Sequence, residues 1–147
     1  IKSAFGLKFA KEKKIEIIRL NEKNFNILEQ KLAKILNEKK IELICLAGFM
    51  RILSKSFIKK FNGKIINIHP SLLPKYKGLN THRRVIENKE DYTGCTVHFV
   101  NSKLDSGKII LQKKIKIFKK DNEKTLAQRV LTEEHKTYPK AIMKLFS

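Results

Sequence analysis

Short apolar runs alternate with helical patterns along this chain, and that alternation confines it to an α/β architecture. Over residues 26–39, Ile27, Leu28, Leu32, Ile35 and Leu36 recur at helical spacing and form one apolar stripe. Residues 42–47 follow as an apolar run closed by Gly48, which reads as a strand. Ser54 is placed to cap a short helix that runs to Phe61 and ends at Asn62-Gly63. Residues 64–69 are the next strand. A helix over 3–13 and a strand over 15–20 complete a strand-helix-strand-helix-strand order, which implies parallel pairing with right-handed crossovers. The prediction is a Rossmann-like three-layer sandwich with a mostly parallel sheet. Downstream, residues 81–88 suit a helix, and 94–100 and 108–118 alternate with period two, predicting a hairpin across 101–107. Helices over 124–134 and 139–146 follow, so the carboxyl-terminal part is the more antiparallel one. At 147 residues, with no internal repeat or linker, residues 1–147 read as one domain.

Charge narrows the function classes less than its size suggests. The formal charge is +19, yet only five of the 33 basic residues are arginine: Arg19, Arg51, Arg83, Arg84 and Arg129. The lysines are spread over almost every expected element, whereas nucleic-acid readout favours arginines at defined points. No specific nucleic acid is expected; a positive surface would instead draw in small polyanions. No apolar run approaches the roughly 18 residues of a membrane span, and no signal segment is seen, so no membrane partner and a cytoplasmic location are expected. Cys45 and Cys95 sit in apolar and alternating runs, which speaks for packing rather than for a metal site.

The first residues are unusual for this architecture. A doubly wound sheet normally opens with a strand and a glycine-rich turn that cradles phosphate. Here the sequence starts without methionine inside a helical pattern, and Gly6 stands alone. A preceding βα unit carrying the phosphate loop is therefore expected.

Asn67-Ile68-His69 closes a short apolar run and meets Pro70-Ser71-Leu72-Leu73-Pro74. Residues i and i+2 of a strand share a face, so an amide and an imidazole point together where a strand ends and ligands gather. That reads as half of an active site, although a polar strand end that only caps the sheet looks the same. Asp105, in the turn sequence Leu104-Asp105-Ser106-Gly107, is equally readable as a carboxylate bonding nearby backbone N–H groups. Arg51, Ile52 and Leu53 fit an ordinary strand-to-helix corner, and Glu134 fits a solvent-facing helical charge. His98 reads as a strand residue packed near the site, while His82 and His135 carry no assignment.

Taken together and in order, residues 47–54, 67–76, Gly78-Leu79-Asn80-Thr81-His82, 96–100 and 104–107 resemble the phosphoribosylglycinamide formyltransferases of the folate-dependent formyltransferase superfamily. The resemblance covers nearly the whole chain. It implies transfer of a formyl group from 10-formyltetrahydrofolate, a co-substrate, to the amine of glycinamide ribonucleotide, by direct attack through a tetrahedral intermediate, with no metal. It further implies catalytic roles for Asn67 and His69 as donors to the developing oxyanion and for Asp105 as orienter of His69 and helper in proton transfer. Arg51, Ile52, Leu53, Val100, Asn101 and Asp105 would hold the folate. Met50, Pro70 and Glu134 would line the ribonucleotide side, Glu134 on the ribose hydroxyls. Leu131 departs from the family, standing where a polar glutamine is common. The segment from Gly78 to His82 would close over the reactants, and a homodimer stays open. Two alternatives remain: a related methionyl-tRNA formyltransferase or formyltetrahydrofolate hydrolase, and a basic nucleic-acid-binding module without catalysis.

Overall fold

Helix α1 (Phe5–Glu12) and helix α2 (Phe25–Glu38) lie in the first of two units, which ends at Lys39; the second runs from Lys40 to Ser147. The structure, a computed structural model, describes residues 5–147, so residues 3 and 4 of the first expected helix lie outside the described residues. Asn24 caps α2 by accepting from the backbone N–H groups of Asn26 and Ile27, which no helical carbonyl can reach.

The strand expected over residues 15–20 does not form. A strand exists only as a pairing, and no described residue pairs with this segment; Ile15 and Ile18 stay 58 % and 46 % exposed. Apolar alternation alone gave the wrong assignment there.

The second unit holds β1 (Leu43–Leu46), α3 (Lys55–Lys60), β2 (Lys64–His69), α4 (Thr81–Glu87), β3 (Tyr92–Phe99), β4 (Ile109–Lys116) and α5 (Glu123–Phe146). Ser54 caps α3 as its sequence implies, its hydroxyl accepting from Phe57 N at 3.0 Å. The four strands lie in the order β1-β2-β3-β4. β1 and β2 pair in parallel across α3, whereas β2–β3 and β3–β4 are antiparallel. The expected sequence of a parallel part and then an antiparallel part is present, with the parallel part confined, among the described residues, to β1 and β2.

One face of the sheet buries Ile66, Val97 and Ile110 against Ala141 of α5, and a neighbouring cluster joins Val85 of α4, Cys95, Leu126 and Val130. Leu126, Val130, Thr137 and Ala141 fall on one helical stripe, which is why α5 lies along β3 and β4. Burying a side chain such as Leu126 stabilises the fold by about 2 kcal/mol.

Helix α5 corrects a second expectation. Two helices are predicted on either side of Pro139, but a single helix of 24 residues runs through it. Proline removes one N–H and crowds the preceding turn, so an isolated helix would break. Here Thr137 and Ala141 are buried on both sides of it, and the Tyr138 hydroxyl lies 2.8 Å from the Leu46 carbonyl and 3.2 Å from that of Ile66. Packing keeps the helix whole.

Candidate active site

Because Ile66 and Ile68 turn toward the core, strand alternation puts Asn67 and His69 on the opposite face of β2. Strand β3 places His98 directly across from Asn67 and Thr96 across from His69. The pairing of β3 with β4 slips between Val97 and His98, leaving Ile110 as an extra residue on β4. Bulges of this kind re-aim nearby side chains.

The hydrogen bonds fix what each group can offer. His98 is 3 % exposed and its Nδ1 lies 2.8 Å from the Phe99 carbonyl, which can only accept. Nδ1 therefore carries the hydrogen, and Nε2, 3.4 Å from Asn67 Nδ2, receives an amide hydrogen. One amide hydrogen of Asn67 is left for a ligand. Burial pushes the His98 pKa down, against smaller upward effects of the Phe99 carbonyl and Asp105, so this imidazole is neutral near pH 7.

His69 is 6 % exposed, with Nε2 2.8 Å from the Tyr76 carbonyl and Nδ1 3.4 Å from Asp105 Oδ2. The Tyr76 carbonyl can only accept, so Nε2 carries a hydrogen, while Nδ1 faces the Asp105 carboxylate. Asp105 stands at φ 43° in the turn after β3; its Oδ2 accepts the Gly78 N–H at 2.8 Å, and its Oδ1 is 3.8 Å from His98 Nε2. One carboxylate thus faces two histidines and a backbone amide.

The loop after β2 is fastened to the sheet through Thr96. Its hydroxyl donates to the Ser71 carbonyl at 2.6 Å and accepts from Leu73 N at 3.1 Å and Gln112 Nε2 at 2.9 Å, which exhausts its capacity. Gln112 also donates to the Leu73 carbonyl at 2.9 Å. Farther along, Tyr76, Gly78 and Asn80 all have positive φ, at 55°, 77° and 56°. For the two residues that are not glycine such a backbone costs about 1 kcal/mol or more each, so contacts must hold the loop in place.

A cleft of about 80 Å³ opens beside this cluster, lined by Leu46, Phe49, Arg51, Ile52, Leu53, Asn67, His98, Val100, Asn101, Lys103, Leu104 and Asp105. The structure therefore brings together Arg51, Ile52, Leu53, Val100 and Asn101 with Asn67 and Asp105. It does not bring in the other group: Met50 is 74 % exposed, and Met50, Pro70 and Glu134 are not among the lining residues. Glu134 is half-buried on α5, and burial alone pushes its carboxyl pKa up to about 7. Among the described residues no group of three or more His, Cys, Asp or Glu is arranged to hold a metal ion.

Sequence reading underrates His98 and passes over the backbone of Tyr76 and Gly78. For His98 a partial signal exists, since it alternates with Thr96 along an expected strand, but the pairing of that strand with β2 is seen only in the structure. The two backbone groups leave no trace in residue types. His82 is also close: it is half-buried, its Nδ1 has no hydrogen-bond partner among the described residues, and burial foremost lowers its pKa, with the His69 charge adding to that and Glu123 opposing.

An amide N–H and a carboxylate lining a cleft, with imidazoles beside them, can stabilise negative charge growing on a carbonyl oxygen while a proton moves nearby. Known proteins resemble this chain along most of its length. The formyl transferase family model matches residues 2–142. The phosphoribosylglycinamide formyltransferase of Escherichia coli K12 is 43 % identical over 142 residues, covering 95 % of this chain and 67 % of the relative. The bovine trifunctional purine biosynthetic protein adenosine-3 is 47 % identical over 120 residues, 82 % of this chain but 12 % of that protein. The chain thus spans about a tenth of the trifunctional relatives and about two thirds of the bacterial one. Among solved structures, the phosphoribosylglycinamide formyltransferases of Bacillus halodurans and Anaplasma phagocytophilum superpose with TM-scores of 0.89 and 0.88, at 33 % and 40 % identity. They are covered to 74 % and 67 %, and they cover 96 % and 95 % of this chain. With a Rossmann-like α/β frame shared with these structures and a family match that runs through every strand of the sheet, this chain belongs to the formyl transferase family.

Proposed function

We propose that the chain carries the catalytic centre of a phosphoribosylglycinamide formyltransferase, moving the formyl group of 10-formyltetrahydrofolate to the amine of glycinamide ribonucleotide in purine biosynthesis. The observation that carries this reading is that Asn67, His98 and Asp105 line one cleft, with His69 behind it, its Nδ1 3.4 Å from Asp105 Oδ2. Identity of 43 % to an enzyme of that name supports it. Residues 1–147 act in this reading as one formyltransferase domain, supported by a family match that continues across both structural units.

The folate supplies the one-carbon carbonyl. The acceptor's nitrogen bonds to that carbon, the bond from the carbon to the folate nitrogen breaks, and one proton passes from the amine to the departing nitrogen. The remaining amide hydrogen of Asn67 donates to the carbonyl oxygen as it gains charge. For His69 to add a second donor, the Nε2 hydrogen must be shared between the Tyr76 carbonyl and the substrate oxygen. Each such donor is worth about 3 kcal/mol where water is excluded. Asp105 keeps His69 charged and aimed, and with a water it carries the proton across. Apolar walls from Leu46, Phe49, Ile52, Leu53 and Leu104, with the backbone of 100–105, suit a flat heterocycle. The cleft is smaller than the roughly 300 Å³ at which small-molecule pockets usually begin, so most of the folate lies along the open mouth. There Ile52 and Leu104 are 60 % and 49 % exposed. Glu134 takes the ribose hydroxyls, with Met50 and Pro70 beside them.

The test is an absorbance assay of tetrahydrofolate release with and without glycinamide ribonucleotide. Release that requires the ribonucleotide supports the proposal. Release without any acceptor, or only with methionyl-tRNA, would replace it with a hydrolase or a tRNA formyltransferase.

A further inference from the structure

Arg84 lies on α4, outside the residues assigned to either substrate, and its side chain turns back over the loop that precedes the helix. Its Nη1 donates to the Lys77 carbonyl at 2.7 Å and, at a longer 3.4 Å, to that of Leu79. Its guanidinium carbon stands 5.2 Å from the centre of the Tyr76 ring, within cation–π range. One planar side chain thus touches Tyr76, Lys77 and Leu79. The same short segment gives the Tyr76 carbonyl to His69 Nε2 and the Gly78 N–H to Asp105 Oδ2, both at 2.8 Å. Positive φ at Tyr76 and Gly78 makes the path of this backbone one that must be held.

The neighbouring arginine provides a contrast. Arg83 bonds Glu87 at 2.7 Å within the helix, and no bond links it to the loop. The other side-chain ties of the segment, Lys77 to Ser106 and the Tyr76 hydroxyl to Glu90, hold side-chain tips and leave the carbonyls free to rotate.

Resting on the formyl-transfer reading, we propose that Arg84 is a positioning residue for that reaction: it fixes residues 76–79, and through their carbonyl and amide it orients His69 and Asp105. A guanidinium suits this role because its Nη1 group reaches two carbonyls while its delocalised charge lies against the Tyr76 ring.

The experiment compares Arg84→Ala, Arg84→Lys and Arg83→Ala in the full chain. Arg84→Ala lowers kcat by about tenfold, the scale on which small misplacements of catalytic groups act, and leaves KM for the formyl-folate within about twofold. Arg84→Lys regains part of the rate, and Arg83→Ala matches the wild type. In parallel, ¹⁵N-histidine NMR without substrates follows the His69 ring, whose Nε2–H signal shifts or is lost to solvent exchange in Arg84→Ala and is unchanged in Arg83→Ala. Should Arg84→Ala fail to fold by thermal melting, Arg84→Lys carries the same two readouts. Wild-type kcat together with an unmoved His69 signal in the Arg84 variants would overturn the proposal, and so would equal losses in the Arg84 and Arg83 variants. A wild-type protein without formyl transfer would count against the function instead, and the NMR comparison would still decide the positioning claim.

Discussion

His69 is bonded through Nε2 to the Tyr76 carbonyl and faces Asp105 through Nδ1, so its orientation is set before any substrate arrives. That is the arrangement expected of a group that must meet charge only as it develops. Under the proposed roles in the transition state, replacing His69 by Ala, or Asp105 by Asn, should lower kcat at least about a hundredfold with little change in folate KM. Steady-state kinetics showing near-normal turnover in either variant would contradict their roles. Glu134 poses a different question. Its carboxyl is pushed up to about 7 from 4.5, so between those values the folded protein holds a proton that the unfolded chain has lost. The associated stability is fully present below 4.5 and is lost as pH rises through 7. Glu134→Gln cannot ionise, so it should stabilise the fold at pH 8 by about 2 kcal/mol and leave it unchanged at pH 4. Thermal melts at the two pH values check this. If Glu134 also grips the ribose hydroxyls, the same variant raises KM for the ribonucleotide, and a stabilised protein with unaltered KM would remove it from the site.

Among elements, α5 and the turn between β3 and β4 make the strongest claims. Pro139 interrupts the hydrogen bonding of a helix that packing keeps whole, so Pro139→Ala should restore an N–H donor and raise stability by about 1 to 2 kcal/mol, after allowing for a freer unfolded chain. A lower melting temperature would mean that the helix requires the proline. Gly107 sits where an added Cβ would run into the Phe99 carbonyl. Gly107→Ala should therefore push the turn outward, lower the melting temperature by several degrees, and reduce kcat by displacing Asp105. Unchanged kcat would show that Asp105 is held independently of the turn. These elements also mark what residue types disclose. Alternation located β3 and β4, and a short apolar run located β2, each to within two residues at its ends. It failed over residues 15–20, where apolar residues recur but no described residue pairs with them. It split α5 because proline is a local signal, whereas Thr137, Tyr138 and Ala141 act through distant partners. Asn67 and His69 were legible as a pair on one strand end, but the groups that orient His69 are the Tyr76 carbonyl and the Asp105 carboxylate, one without side-chain identity and the other 36 positions away.

For the molecule as a whole, a charge of +19 with the basic residues dispersed should act on encounter rather than on chemistry. Raising salt from roughly 50 to 300 mM should increase KM for the anionic ribonucleotide several-fold and leave kcat nearly constant. A kcat that falls as KM rises would place the charges in the reaction itself. The expected order of a parallel arm and an antiparallel arm was readable, since short apolar runs separated by amphipathic helices have few other solutions. The closing of the sheet by α5 was not, because it depends on the Tyr138 phenol meeting the carbonyls of Leu46, a cleft residue, and Ile66, a core residue. That phenol is 92 residues later in the chain than Leu46. On a ribosome making about 5 to 20 residues per second, the rim beside Asn67 waits roughly 5 to 18 seconds after Leu46 is made for its tether to be synthesised. Nascent polypeptides arrested before that point should therefore carry Asn67 and His69 beside a cleft rim that still lacks its tether.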